Sequence, residues 1–409
     1  MVRVRPFKAL RPNEKYVDRV AELPYDTMNT EEAREMARNN ENSYLRIDRA
    51  EIDLPPDTDI HSEKVYEKAA ENLEDFIDRG IFIQDENPHL YIYREIMDGR
   101  SQVGIVGCVS VDESLDGKIK IHEHTKPDKV ADRIKHIEYC KANTGTILLT
   151  YDTDKNIDKM IEGKMNSQAL YDFKSVDGIR HTVWILDDKE SKMMESAFED
   201  VDSLYIADGH HRSAAAESYA LKKRKENPNY DPEEEFNFYL AMIAPKDNLY
   251  VMDYNRVIKD INKLEVDEFI NKVEKNFIVE ESKEEIKPQE KYEYGMYLDG
   301  RWYNLKFKNI EKLDETIEKL DVSVLNNYLI EPILDITVPQ KDPRIDFIGG
   351  IRGVGEIKKR VDKDMKLGFS LYPTSIEELM QVADEKKIMP AKSTWFEPKV
   401  RCGLFLHRL

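Results

Sequence analysis

Ser203-Leu204-Tyr205-Ile206-Ala207-Asp208-Gly209-His210-His211-Arg212 restricts this chain more than any other stretch. An apolar, β-prone run stops at Asp-Gly and gives way to two imidazoles and a guanidinium. A strong helix former, Ser213-Ala214-Ala215-Ala216-Glu217, follows at once. Propensity predicts a strand, a tight turn at Gly209 and a helix N-terminus. Such a junction aims backbone N–H groups and partial positive charge at one point, which favours an anion. Arg212 suits a bidentate grip on phosphate, and His210 and His211 can donate hydrogen bonds or protons. Asp208 has the wrong charge to hold phosphate, so its expected role is to bind Mg²⁺ or to orient an imidazole. The alternative is a surface loop whose polar residues cap a helix.

Composition narrows the partners. Over 409 residues, the formal net charge of −19 opposes nonspecific binding to nucleic acid or anionic membrane. Cys108, Cys140 and Cys402 stand far apart, arguing for a reducing compartment and against a disulfide framework. The start, Met1-Val2-Arg3-Val4-Arg5-Pro6, lacks the apolar core of a signal peptide. No apolar run approaches the roughly 18 residues of a membrane span. The expectation is a cytoplasmic protein acting on small molecules, with no nucleic-acid or membrane partner and an oligomeric state that the sequence does not fix.

Helical and strand patterns alternate along the chain. Asn29 and Glu32 form a capping-box pattern before a helix over 31–39. Val65, Tyr66, Ala69, Leu73, Phe76 and Ile77 recur at helical spacing, and Gly80 supplies the stop. Asp98-Gly99 and Asp299-Gly300 each separate two strand-like runs, a hairpin signal. The mixture predicts an α+β (mixed α/β) architecture with a catalytic region over 1–258 and a second α+β domain over 259–409.

Other segments offer chemistry. His122 and His124 alternate at strand spacing and could share a metal; alternatively His122, Lys126 and Arg133 lend positive charge to the phosphate pocket. Glu51 follows a strand-like stretch and precedes Pro55-Pro56, a placement for a general base or simply a solvated loop. Near the C-terminus, Lys392, Ser393, Thr394, Lys399 and Arg401 surround Trp395 and Phe396. They suit a clamp that offers hydroxyl and cationic groups to phosphate, or a tail docked by its aromatics. Phe347–Glu356 is glycine-rich without a dinucleotide or P-loop spacing, so close backbone packing is expected there.

Taken together these motifs resemble the domain-of-unknown-function 1015 family. The likeness runs through Pro6-Phe7, Leu10-Arg11-Pro12-Asn13, Leu23-Pro24-Tyr25-Asp26 and Glu51-Ile52-Asp53-Leu54-Pro55. It continues through His122-Glu123-His124-Thr125, Asp208–Arg212 and Lys392-Ser393-Thr394-Trp395-Phe396-Glu397-Pro398-Lys399. Leu23 departs from the family pattern, which often has a second proline there. The Asp-Gly-x-His-Arg signature also resembles the ParB/sulfiredoxin-like superfamily, including free serine kinases. That resemblance implies a ParB/sulfiredoxin-like catalytic core, a phosphate site at Asp208, Gly209, His211 and Arg212, and Glu51 as the acid that activates a serine hydroxyl. The implied activity is a kinase that makes O-phosphoserine from free L-serine, with Mg²⁺ and with ATP, ADP or pyrophosphate as donor. A nucleotide-binding switch and a phosphohydrolase using the same anion site are the alternatives.

Overall fold

Asp98 and Gly99 have φ angles of 49° and 79°, and Asp299 and Gly300 have 50° and 78°. Two consecutive left-handed residues match the twist of a two-residue hairpin. Both expected hairpins form: Tyr91–Met97 pairs with Arg100–Ser110, and Glu293–Leu298 with Arg301–Phe307. A computed structural model describes residues 2–409, and the fold is α+β, as the alternating patterns predict. Among these residues no helix is long and apolar enough to cross a membrane.

The chain forms two units. The first comprises residues 1–121, 125–249 and 398–409; the second comprises 122–124 and 250–397. The boundary expected after 258 therefore moves to Leu249, and the reason lies in pairing. Tyr254–Ile258 hydrogen-bonds with Ile345–Gly349 and Leu367–Leu371, which places it inside the second unit's sheet. The last residues return to the first unit, where Leu406–Arg408 pairs with strands at Ala9–Pro12 and Ala142–Asn143.

In the first unit a nine-stranded sheet carries the core. At its centre Phe238–Pro245 lies between Arg100–Ser110 and Ile147–Tyr151, with all of its residues buried. Ile147–Tyr151 in turn pairs antiparallel with Leu204–Asp208. The helix Glu63–Asp78 buries Val65, Tyr66, Ala69, Leu73 and Phe76, the face that the spacing predicts. Gly80, at φ 68°, ends it: its N–H bonds to Ile77 O, and that of Ile81 to Phe76 O. The Asn29–Glu32 capping box forms on Thr30–Ala37.

The second unit contains a six-stranded antiparallel sheet and a two-stranded ribbon. Its glycine-rich segment serves close packing, as expected. A Cβ on Gly349 would lie 2.6 Å from the Trp395 ring, and one on Gly350 2.8 Å from Asp253 O.

Candidate functional site

The strand Leu204–Asp208 loses register with its neighbour between Ile206 and Asp208, then turns at Gly209 into the helix His210–Glu226. Gly209 has φ 100°, and a Cβ there would come within 3.1 Å of the Arg212 guanidinium. A second glycine makes room from the opposite side. Gly145 precedes the neighbouring strand, and a Cβ on it would lie 3.0 Å from Arg212 Cδ. The guanidinium nests between the two turns and donates through Nη1 to Thr146 O. The helix has no side-chain cap and no acid in its first turn, with Lys223, Arg224 and Lys225 in its last. Its N-terminal partial positive charge is therefore left uncancelled by its own residues.

Asp208 faces cations. Its Oδ2 lies 3.3 Å from Lys399 Nζ and 3.8 Å from Arg212 Nη2. Burial acts to raise this carboxyl, but Lys399 and Arg212 outweigh it and hold it well below the usual carboxylate range. For Arg212, burial opposes the charge, while Cys402, Asp208, Asp26 and Tyr25 stabilise it. The expected Mg²⁺ ligand thus requires correction: Asp208 is already neutralised by two cations, which repel a metal ion, and the site does not fit the ion in this arrangement. His210 is buried, which lowers its imidazole to about 4 despite Asp208. It is neutral at pH 7 and contributes hydrogen bonding instead of charge. His211 Nε2 accepts the Lys126 backbone N–H at 3.0 Å, so in the neutral ring the proton sits on Nδ1. Lys126 itself enters through its main chain, at the start of the helix Pro127–Cys140.

Arg133, on that helix, connects this turn to Glu51. It lines a space of about 20 Å³ with Arg212, His136, Thr144 and Gly145, room for one water-sized molecule. It also lines a cavity of about 270 Å³ together with Glu51, Arg49, Asp26, Asp48 and Asp132. Arg133 is tied to Asp48 at 3.0 Å and Asp132 at 2.8 Å, and stacks 4.1 Å over the Tyr25 ring. Glu51 is buried and held by Arg49 Nε at 2.8 Å and the Thr30 hydroxyl at 3.1 Å. His136 accepts from Thr144 Oγ1 at Nδ1 and donates from Nε2 to Ile47 O at 3.0 Å, and burial lowers its pKa.

The remaining candidates divide between the two units. Lys399 belongs to the first unit, beside Asp208. Arg401 belongs there too, but its guanidinium goes to Asp177 and Ser175. His122, Lys392, Ser393 and Thr394 lie in the second unit. There Thr394 Oγ1 is 3.4 Å from His122 Nε2, and Ser393 Oγ donates to Pro390 O at 2.5 Å. The strand expected through His122 and His124 stops at Lys120. Glu51 sits not after a strand but on a 3-10 turn, Ala50–Asp53, that follows the short helix Leu45–Asp48. Residues that the sequence left unassigned include Tyr25, Arg49, Asp48, Asp132 and the Thr144–Thr146 turn. Of these only the Tyr25-Asp26 turn and the Arg49-x-Glu51 spacing leave a visible trace.

A family described as a protein of unknown function, DUF1015, matches residues 4–323. The chain belongs to the DUF1015 family. No curated protein matches it. Among solved structures it is similar to a free serine kinase in complex with AMP: 15% identity over 71% of this chain and 86% of that one, TM-score 0.34. C-terminally truncated SbnI from Staphylococcus aureus gives 12% identity over 73% and 84%, TM-score 0.37. A conserved hypothetical protein from Pyrococcus furiosus gives 13% over 71% and 90%, TM-score 0.32.

Proposed function

We propose that this DUF1015 chain is a small-molecule phosphotransferase with a ParB/sulfiredoxin-like core, moving a phosphoryl group from ATP, ADP or pyrophosphate to the hydroxyl of free L-serine. One observation carries the reading. A strand–glycine–helix turn, lined by Arg212 and Lys399, shares the wall residue Arg133 with a cavity that holds Glu51. The cationic turn supplies charge stabilisation for phosphate, and the cavity supplies a place for an acceptor beside a carboxylate.

In the reaction Glu51 takes the proton as the serine Oγ forms its bond to phosphorus. The bond from phosphorus to the donor's bridging oxygen breaks, and the leaving group departs with its electron pair. Arg212, Lys399 and the helix N-terminus hold the phosphate oxygens, while the neutral His210 ring and the His211 ring donate hydrogen bonds. Asp208 keeps Lys399 and Arg212 in position. A divalent ion would arrive with a nucleotide donor; no step here is routed through it.

The test is a transfer assay over hydroxyl-bearing amino acids and other small alcohols, with each donor in turn. O-Phosphoserine is the expected product, and Glu51→Gln should lower kcat by about 10²–10⁴ while donor binding survives. Donor hydrolysis that no alcohol diverts would favour the phosphohydrolase. Tight nucleotide binding without turnover would favour the switch.

A further inference from the structure

Glu95 is 0% exposed, in the middle of the strand Tyr91–Met97. In the sheet it stands opposite Gln102 on one side and His181 on the other, and both are buried. Burying a carboxylate costs several kcal/mol in effective terms unless hydrogen bonds replace its water. Here they do. Tyr93 OH donates to Glu95 Oε1 at 3.0 Å, and Gln102 Nε2 donates to Oε2 at 2.8 Å. The same Gln102 nitrogen donates to Pro398 O at 3.1 Å. Tyr93 continues to His181 Nδ1 at 2.8 Å, and His181 Nε2 meets Ser175 Oγ at 2.9 Å. Ser175 and Asp177 hold the Arg401 guanidinium.

Pro398 and Arg401 flank Lys399, the cation that reaches Asp208. We infer that Glu95 and Gln102 are positioning residues for Lys399. An amide has a donor end and an acceptor end, and only its NH₂ can serve Pro398 O. A negative carboxylate across the strand pair turns that NH₂ toward itself, so both of its protons point at oxygens. The first anchor is thereby fixed at Pro398, the second is the Arg401–Asp177 pair, and Lys399 is suspended between them with Nζ 3.3 Å from Asp208. This assigns a purpose to a buried charge that a hydrophobic pair would otherwise replace without loss of stability. Its bearing on phosphate transfer rests on the reading of the Asp208 turn given above; the placement of Lys399 does not.

The placement is measurable without any ligand. Lys399 has a side chain only 9% exposed and an ionic partner, so an amine-acylating ester should label it slowly in the full-length protein. Glu95→Gln and Gln102→Met should each speed labelling of Lys399 about tenfold, the equivalent of one lost hydrogen bond, with exposed Lys155 unchanged as the internal reference. Unchanged labelling of Lys399 in folded variants would overturn the inference. The exchanged pair, Glu95→Gln with Gln102→Glu, keeps the cross-strand bond but presents an acceptor to Pro398 O. It should label as fast as the single variants, and a return to the wild-type rate would show that the pair only fills space. If Gln102→Met fails to fold, Glu95→Gln and the exchange still decide. Inorganic phosphate titrated into Lys399→Met separates the two readings: unchanged affinity there, with accelerated labelling in Glu95→Gln, removes the anion site but leaves the positioning role standing.

Discussion

Arg212 is the residue on which the proposed anion site turns, because its guanidinium is shaped by two glycines at the helix start. Arg212→Ala should weaken binding of the phosphoryl donor by roughly 1.5–3 kcal/mol, the value of a charge-assisted hydrogen bond, as read by calorimetry. Equal affinity would mean that the side chain is purely a strut for Thr146. His210 offers a second check. Its ordinary pKa is near 6.5 and its folded value about 4, so between these the unfolded chain binds more protons than the folded one. Its contribution to stability is therefore fully present above pH 6.5 and is lost as pH falls toward 4, at about 1.4 kcal/mol per unit. The His210 ring resonances should hold still from pH 8 down to about 5 and move only below it. Movement centred near 6.5 would show that the ring is solvated.

The strand–turn–helix element was readable in sequence because its determinants are local: a β-prone run, a glycine, then alanines. Both Asp-Gly hairpins were readable for the same reason. The local structure before Glu51 was not, because Leu45 and Ile47 read as part of a strand yet are buried in a short helix by neighbours distant in sequence. No local pattern reveals that Arg133 would join two cavities, or that Lys399 would meet Asp208. Those contacts come from tertiary pairing. The turn itself makes a direct prediction. Gly209→Ala must adopt a left-handed φ and bring a methyl group against the Arg212 guanidinium. It should cost roughly 1–2 kcal/mol in folding, measured by denaturant titration, and should also weaken phosphate binding. Loss of stability without loss of affinity would detach the guanidinium from the anion site.

At the scale of the molecule, the first unit is discontinuous: its last segment, 398–409, follows the whole second unit in sequence. Val400, Leu404, Phe405 and Leu406 in that segment are buried. Their burial contributes roughly 6–12 kcal/mol as an upper figure, comparable with the whole stability of a domain. Truncation after Glu397 should therefore unfold the first unit, seen as loss of protease resistance across 1–249. A truncated chain that keeps that resistance would show the segment to be dispensable.

The same discontinuity bears on synthesis. A ribosome working at roughly 5–20 residues per second takes on the order of ten seconds to pass from Leu249 to Pro398. Throughout that interval Ala9–Pro12 and Ala142–Asn143 lack the strand Leu406–Arg408 that joins them, and Asp208 lacks Lys399. A nascent chain, or one released early, carries the Asp-Gly-His-His-Arg turn but not the cation that completes it. Pairing of the proposed anion-binding turn with Lys399 thus waits for synthesis of the segment 398–409.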